Sequence, residues 1–196
     1  TTMDYNMALT IAELAVLLAL LSSVLPLLFL RFPYFQGWLS FFLLGISGLA
    51  ACLGGGMALL ARSSELVILP IGLPWLHVYL SLDPLSGFFL FVVGLITSIA
   101  GCYGPAYTRE YIGLKMSIGS LTVFTGLFVC GMFLVLLAAD AFSFMLAWEL
   151  MSVASYFLVV YQHHNLENRQ AAFIYLLMAV VGGSFLLLAY GVLAGF

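Results

Sequence analysis

The chain has 196 residues, of which 65% are hydrophobic and 7% charged, with a formal net charge of −3. A soluble domain carries about 25% charged residues, so this chain has too little polar surface to cover a water-soluble core, as its mean hydropathy of +1.22 also indicates. A soluble enzyme, a disordered tail and a nucleic-acid binder are excluded, the last because no basic patch is present to meet phosphates.

What remains is an all-α integral membrane protein. A span needs about 20 mostly apolar residues, and six stretches qualify, near 9–30, 38–61, 84–102, 116–138, 141–161 and 171–194. They are long and apolar all round, unlike the alternating ten-residue strands of a membrane barrel. The first stretch lacks a basic leader, contains Glu13 and runs longer than a signal-peptide core, so it reads as a retained helix. Glu13 lies one turn inside it and snorkels to the interface. Arg31, Arg109, Lys115 and Arg169 fall in the first, third and fifth loops, against Arg62 alone in the second and none in the fourth. The positive-inside rule then places both termini outside.

Residues 62–83 form the longest connection, and the Val-Ile-Leu and His-Val-Tyr-Leu segments flanking Pro70, Gly72 and Pro74 are expected to pair as an external hairpin. Trp75 and Tyr79 suit the membrane interface. Asp83 before Pro84, and Asp140 with Ser143, have the pattern of helix caps. Cys52, Cys102 and Cys130 stand singly in apolar runs and read as small buried hydrophobes. No Cys/His spacing offers a metal or cofactor site. The small-residue clusters Gly54-Gly55-Gly56 and Gly182-Gly183-Ser184 read as packing surfaces.

Glu149 is the residue on which a function turns. It lies eight residues past Ala141, about 12 Å down a helix and near the membrane centre, where an ionisable group costs several kcal/mol. Ser152 and Tyr156, at i+3 and i+7, share its face. Burial favours the neutral carboxyl and a nearby cation the charged one; a group held between the two takes and releases a proton. The alternative is a protonated glutamate acting only as interhelical glue. His163 and His164, just past that helix, are either proton relays or ordinary interfacial loop residues. His77, in the hairpin segment, is a weaker candidate.

Three stretches in order carry a resemblance: Leu82-Asp83-Pro84-Leu85-Ser86-Gly87-Phe88-Phe89 followed by Tyr107-Thr108-Arg109-Glu110-Tyr111; Leu134 to Asp140 leading to Ala141-Phe142; and Trp148-Glu149-Leu150-Met151-Ser152-Val153-Ala154-Ser155-Tyr156-Phe157-Leu158-Val159. They resemble the antiporter-like proton-pumping subunits of complex I, Mrp antiporters and membrane-bound hydrogenases, most of all hydrogenase-4 component B of the formate hydrogenlyase type. The likeness covers about residues 80–196, with the two helices of 1–83 similar only in hydropathy. The resemblance implies roughly fourteen helices with two inverted five-helix units, the first starting near residue 116, with external termini and a cytoplasmic fifth loop. It also implies that Glu149 is the fifth-helix glutamate, working with a lysine two helices later on a broken helix.

This chain departs from that pattern. Lys115 is its only lysine, so the partner lysine, the broken helix and most of the inverted-repeat core are missing, and the chain reads as the N-terminal part of the family's subunit. The remainder of the subunit or a separate chain would supply the lysine. The expectation is a proton-translocating subunit of a redox-driven pump in a bacterial or archaeal cytoplasmic membrane, embedded in the lipid bilayer beside other membrane subunits that carry the redox chemistry, with no cofactor or nucleic acid. The rival readings are a non-conducting assembly bundle, or a same-family subunit serving cation/proton exchange or inorganic-carbon uptake.

Overall fold

A computed structural model describes residues 2–61, 65–73, 76–113, 117–161 and 166–195. Six long helices dominate: α1 (Thr2–Val24), α2 (Pro33–Ala61), α3 (Pro84–Gly113), α4 (Ile118–Leu137), α5 (Ala141–Val160) and α6 (Leu166–Ala194). All six are long and apolar enough to cross a membrane, and the expected all-α integral membrane fold is found. Between α2 and α3 lies an antiparallel hairpin of β1 (Glu65–Leu73) and β2 (Leu76–Leu82).

Helices α2, α3 and α6 outrun the apolar stretches that announce them, for local reasons. Pro26 tightens the end of α1 into a 3-10 turn over Leu25–Phe29. Pro33 opens α2, because the first helical position needs no N–H. Helix α3 runs past the apolar stretch that ends near residue 102 and continues through Pro105 to Gly113. Transmembrane helices tolerate an internal proline when neighbouring groups take up the freed backbone. Beyond it, tilted ring contacts join Tyr103 to Tyr107 and Tyr107 to Tyr111, and Arg109 lies on α3 itself. Helix α6 starts five residues early because Glu167, Asn168, Arg169 and Gln170 form a polar first turn, with Glu167 favourably placed at the positive end of the helix dipole.

The expected pairing of the Val-Ile-Leu and His-Val-Tyr-Leu segments is present, with Val67 opposite Leu80, Ile68 opposite Tyr79 and Leu69 opposite Val78. The register shifts between Leu69 and Gly72, where Pro70 has no N–H for the ladder and two extra residues, Pro70 and Ile71, are absorbed as an irregularity of β1.

Helix α2 packs between α1 and α3, α1 meets α4, and α5 links α4 to α6. Leu44, Ala51, Leu90, Phe133 and Leu137 lie in the core. The α2–α3 contact is made by backbone. A methyl group added at Gly94 would stand 2.7 Å from both the Cys52 nitrogen and the Gly48 oxygen, and one at Gly48 would stand 2.5 Å from the Ser98 nitrogen. At Gly55 it would meet the Gly87 oxygen at 2.5 Å. Gly87, Gly94 and Gly101 recur every seven residues, the spacing that keeps one stripe facing a neighbour. Lipid gives apolar helices no reason to associate, so this close approach supplies packing that larger side chains would prevent. Ser40 and Ser47 then donate hydrogen bonds to the Ser22 and Ala15 carbonyls of α1, at 2.7 and 2.6 Å. Gly54, at 3.0 Å from the Ala8 oxygen, serves the packing expected of its cluster, whereas Gly182 has nothing within 4 Å.

The cysteines differ from one another: Cys130 is buried, Cys52 is half-buried and donates to the Phe91 carbonyl at 3.4 Å, and Cys102 is exposed rather than buried. Glu13 departs from expectation as well. Helix α1 begins well before it, and its Oε1 is enclosed with no hydrogen-bond partner among the described residues instead of reaching the interface.

Asp140 fixes where α5 begins. It caps the helix by accepting from the Ser143 N–H at 2.9 Å and from the Ser143 hydroxyl, and it also accepts from the Tyr79 N–H at 3.2 Å. The Tyr79 carbonyl takes the Ala139 N–H at 2.9 Å. The hairpin is thereby tied to the α4–α5 turn. Burial works against ionised Asp140, but the hydrogen bonds from Ser143 and Tyr79 outweigh it and hold the carboxyl below the usual carboxylate range. At the head of α3, Asp83 is likewise lowered, chiefly by Ser86, whose N–H it accepts at 2.9 Å.

Two outcomes follow for folding. Gly94→Leu is expected to cost at least the roughly 1–3 kcal/mol of an overpacked core, read as a lower melting temperature in detergent, while Gly182→Ala leaves melting unchanged or raises it. Asp140→Ala is expected to cost about 1 kcal/mol through the lost cap. Since the folded-state value is the lower one, Asp140 stabilises above its unfolded value of about 3.9, and that contribution fades as pH falls through the folded value. Amide-exchange protection of Tyr79 and Ser143 reports both effects.

Candidate functional site

Helix α5 presents two faces. Ser143, Ala147 and Ala154 are buried toward the bundle, and Met151 sits so close to α4 that a methyl added at Gly131 would meet its Cα at 3.0 Å. The other face carries α6. Ala172 and Gly183 are the buried residues of α6, and with Leu176, Ala179, Leu186 and Tyr190 they form a stripe at alternating spacings of four and three, a single helical seam. Outside that seam α6 is open: 11% of its spanning residues are buried, against 44% in α4.

Two contacts set the register of the seam. The Ser155 hydroxyl and the Tyr175 hydroxyl are 2.6 Å apart, and Glu149 Oε1 lies 3.2 Å from where a Cβ on Gly183 would stand. Six residues back along α5 correspond to eight forward along α6, as antiparallel neighbours require. Glycine at 183 therefore makes room for the carboxylate. Trp148 Nε1 is 3.9 Å from the same point, enclosed and without a hydrogen-bond partner among the described residues. Its ring stacks on Phe144 at 6.0 Å, and Phe144 meets Tyr190 edge-on at 6.0 Å. Glu149 itself is exposed, on the open edge of a groove with an aromatic wall.

Ser152 is buried and Tyr156 half-buried, its ring against Phe157. Neither is hydrogen-bonded to Glu149 among the described residues. Geometry explains this: Tyr156 is seven residues, about 10 Å, along the helix, and Ser152 is turned about 60° from Glu149. Sharing a face does not bring these groups into contact. The hydroxyl that does find a partner is Ser155, and no sequence signal marks it, because its partner Tyr175 is set by the α5–α6 register. His163 and His164 lie outside the described residues, and His77 enters only as the register partner of Gly72. Among the described residues no three His, Cys, Asp or Glu side chains converge as metal ligands. The ionisable side chain on this face is the Glu149 carboxyl.

Residues 138–196, which begin at the hairpin's tie to α5 and hold the whole α5–α6 groove, match the family described as NADH:quinone oxidoreductase/Mrp antiporter, TM. An uncharacterized protein of Mycobacterium tuberculosis is 35% identical over 145 residues, covering 72% of this chain and 22% of that protein. Hydrogenase-4 component B of Escherichia coli is 26% identical over 170 residues, covering 80% of this chain and 25% of its own length. The structure of an Mrp complex from Dietzia sp. DQ12-45-1b contains a chain that superposes with a TM-score of 0.68 at 25% identity, over 93% of this chain and 19% of that one. The chain thus spans about a quarter or less of the relatives it matches.

The site geometry separates two glycines. Gly183→Ala meets only the end of a flexible carboxylate, so its melting is expected to stay within about 0.5 kcal/mol of the parent. Gly131→Ala meets the Met151 backbone and is expected to cost about 1–3 kcal/mol, measured by the same thermal melts.

Proposed function

We propose, for a chain that belongs to the family of antiporter-like membrane subunits, that it is part of a proton-translocating subunit in which Glu149 binds and releases the proton. The observation that carries this reading is the placement of that carboxylate: mid-helix, facing the glycine at position 183, and open on one side. A carboxylate in the membrane interior faces protein or water rather than lipid. The open side of Glu149 is accordingly where a cation from a further segment of the subunit, or from a separate chain, stands. Approach of that cation favours the ionised form and its withdrawal the protonated form, so a moving positive charge loads and unloads the site.

In this reading Ser152 and Tyr156 are supporting polar residues along α5, with His163 and His164 on the entry side and loops one, three and five facing the cytoplasm. The domain division follows: residues 1–83 flank the machinery, and 84–196 carry the family motifs and the start of the first repeat. The host is a hydrogenase-4-like or complex-I-like assembly in a bacterial or archaeal cytoplasmic membrane, whose other subunits hold the redox centres.

The test is Glu149→Gln in the intact assembly reconstituted in vesicles, with proton uptake followed by an internal pH dye. Uptake is expected to fall to background while the assembly still purifies with all its subunits. Wild-type uptake in the variant would remove Glu149 from the mechanism, and a sodium-dependent signal in place of the pH signal would reassign the coupled ion.

A further inference from the structure

Along the outer side of the α2–α3 pair runs a groove of about 290 Å³. Its α2 wall follows Trp38, Phe42, Gly45 and Leu49, and its α3 wall follows Ser98, Cys102 and Pro105. Steps of three and four residues make each wall a single helical stripe. The groove is a product of the close backbone approach beside it. Gly45 faces Gly101, and Gly104 leaves room for the Phe41 ring to lie against α3 as a floor. Small side chains at Gly45, Ser98 and Cys102 keep the channel open, while Trp38 stacks on Phe42 at 5.1 Å along its rim.

Its dimensions fit one hydrocarbon chain. From Trp38 to Leu49 is eleven residues, about 16 Å, half of the roughly 30 Å hydrocarbon core and so the depth of one leaflet. Spread over that length, 290 Å³ averages about 18 Å² in cross-section, far too narrow for a helix about 10 Å across. A single side chain from a neighbouring helix would fill only part of it. The end nearest Trp38 is also electropositive. Arg109 stands four residues beyond Pro105 and continues the α3 stripe. A Cβ on Gly37 would lie 2.8 Å from Thr108 Oγ1, which sets the next residues, Trp38 and Arg109, at one level. Trp38 is 48% exposed, with the amphipathic ring that settles at a membrane interface. Arg31 and Arg109 are both exposed at this end, and Glu110 is the one carboxylate within 25–38 and 103–113. Basic residues beside a groove between transmembrane helices are placed to hold a lipid phosphate.

We propose that this groove is a binding site for an anionic phospholipid, with one acyl chain lying between α2 and α3 from Trp38 to Leu49 and the phosphate held by Arg109. The chain restores the packing that the small residues leave open, and the arginine selects the charge of the head group. The site lies on α2 and α3 and stands apart from the proton chemistry of Glu149.

The test uses the intact assembly in vesicles containing phosphatidylglycerol or phosphatidylcholine with a photoactivatable diazirine on one acyl chain. After illumination, adducts mapped by mass spectrometry are expected within 38–49 and 98–105, favouring the phosphatidylglycerol probe about fivefold, the contribution of one basic residue near a membrane surface. Arg109→Gln is expected to abolish that preference while adducts from both probes persist. Cys102 is exposed, so Cys102→Phe places a ring in the groove without disturbing the core and is expected to remove the adducts of both probes. Ile46→Phe, from the α2 side, is expected to do the same, and parental melting temperatures separate displacement of lipid from loss of fold. Adducts that follow bulk lipid composition and survive both ring substitutions would mean ordinary boundary lipid and overturn the site. A parent assembly without adducts in either segment would mean that protein covers this face, and would overturn it equally.

Discussion

In hydrocarbon, a backbone amide or carbonyl that finds no partner in its own segment has no water to turn to. Each element of this chain answers to that constraint. Six helices satisfy their backbones internally, and the one hairpin pairs strand to strand between two of them. Where β2 would present a bare edge, Tyr79 spends its amide and carbonyl on Asp140 and Ala139. The helix interiors carry serines and threonines that fold back onto carbonyls within a turn or reach across to a neighbour, as Thr122, Ser40 and Ser47 do. Against that background, the enclosed polar atoms without a hydrogen-bond partner among the described residues are Glu13 Oε1, Gln36 Nε2, Trp148 Nε1 and the Tyr161 hydroxyl, and the last two lie on α5 or at its end, as does the exposed Glu149.

A second tier of organisation places those exceptions. The Asp140 junction sets where α5 starts, and so the depth at which Glu149 sits. The α5–α6 seam sets what Glu149 faces. Gly183 matters here through what it lacks, since a Cβ at that position would stand 3.2 Å from Glu149 Oε1 and a larger side chain would crowd the carboxylate. The same residue type does a different job on α2 and α3, where glycine lets two backbones touch.

Much of this was legible in the sequence. Apolar run length revealed six spans, the Pro/Gly centre between two β-rich segments revealed the hairpin, and Asp140 with Ser143 revealed a cap, because each depends on neighbours a few residues away. Glu149 was legible for the same reason: a charge in an apolar run is visible without a fold. Contacts set by register were not. Gly87, Gly94 and Gly101 stand singly in their run, and only a facing helix shows them to be a stripe. Ser155 and Tyr175 are twenty residues apart, and nothing local links them. Polar first turns and an internal proline concealed the true ends of α6 and α3, since hydropathy counts carbon and overlooks capping. Gly182 and Cys102 show the converse, small residues that suggest burial and find open space.

The α2–α3 contact also governs how this bundle can move. Side chains that interdigitate can change rotamer and let two helices slide or tilt; a contact made by main-chain atoms has no rotamers to exchange. Helices α2 and α3 are thus bound to travel together as one stiff plank, with α1 laid on it through two short serine hydrogen bonds. The α5–α6 pair meets along side chains and a single hydroxyl bridge, and retains the small adjustments that the plank has lost. The two sides of α4 are thus built differently, with close main-chain contact between α2 and α3 on one side and a side-chain seam, carrying the carboxylate, on the other.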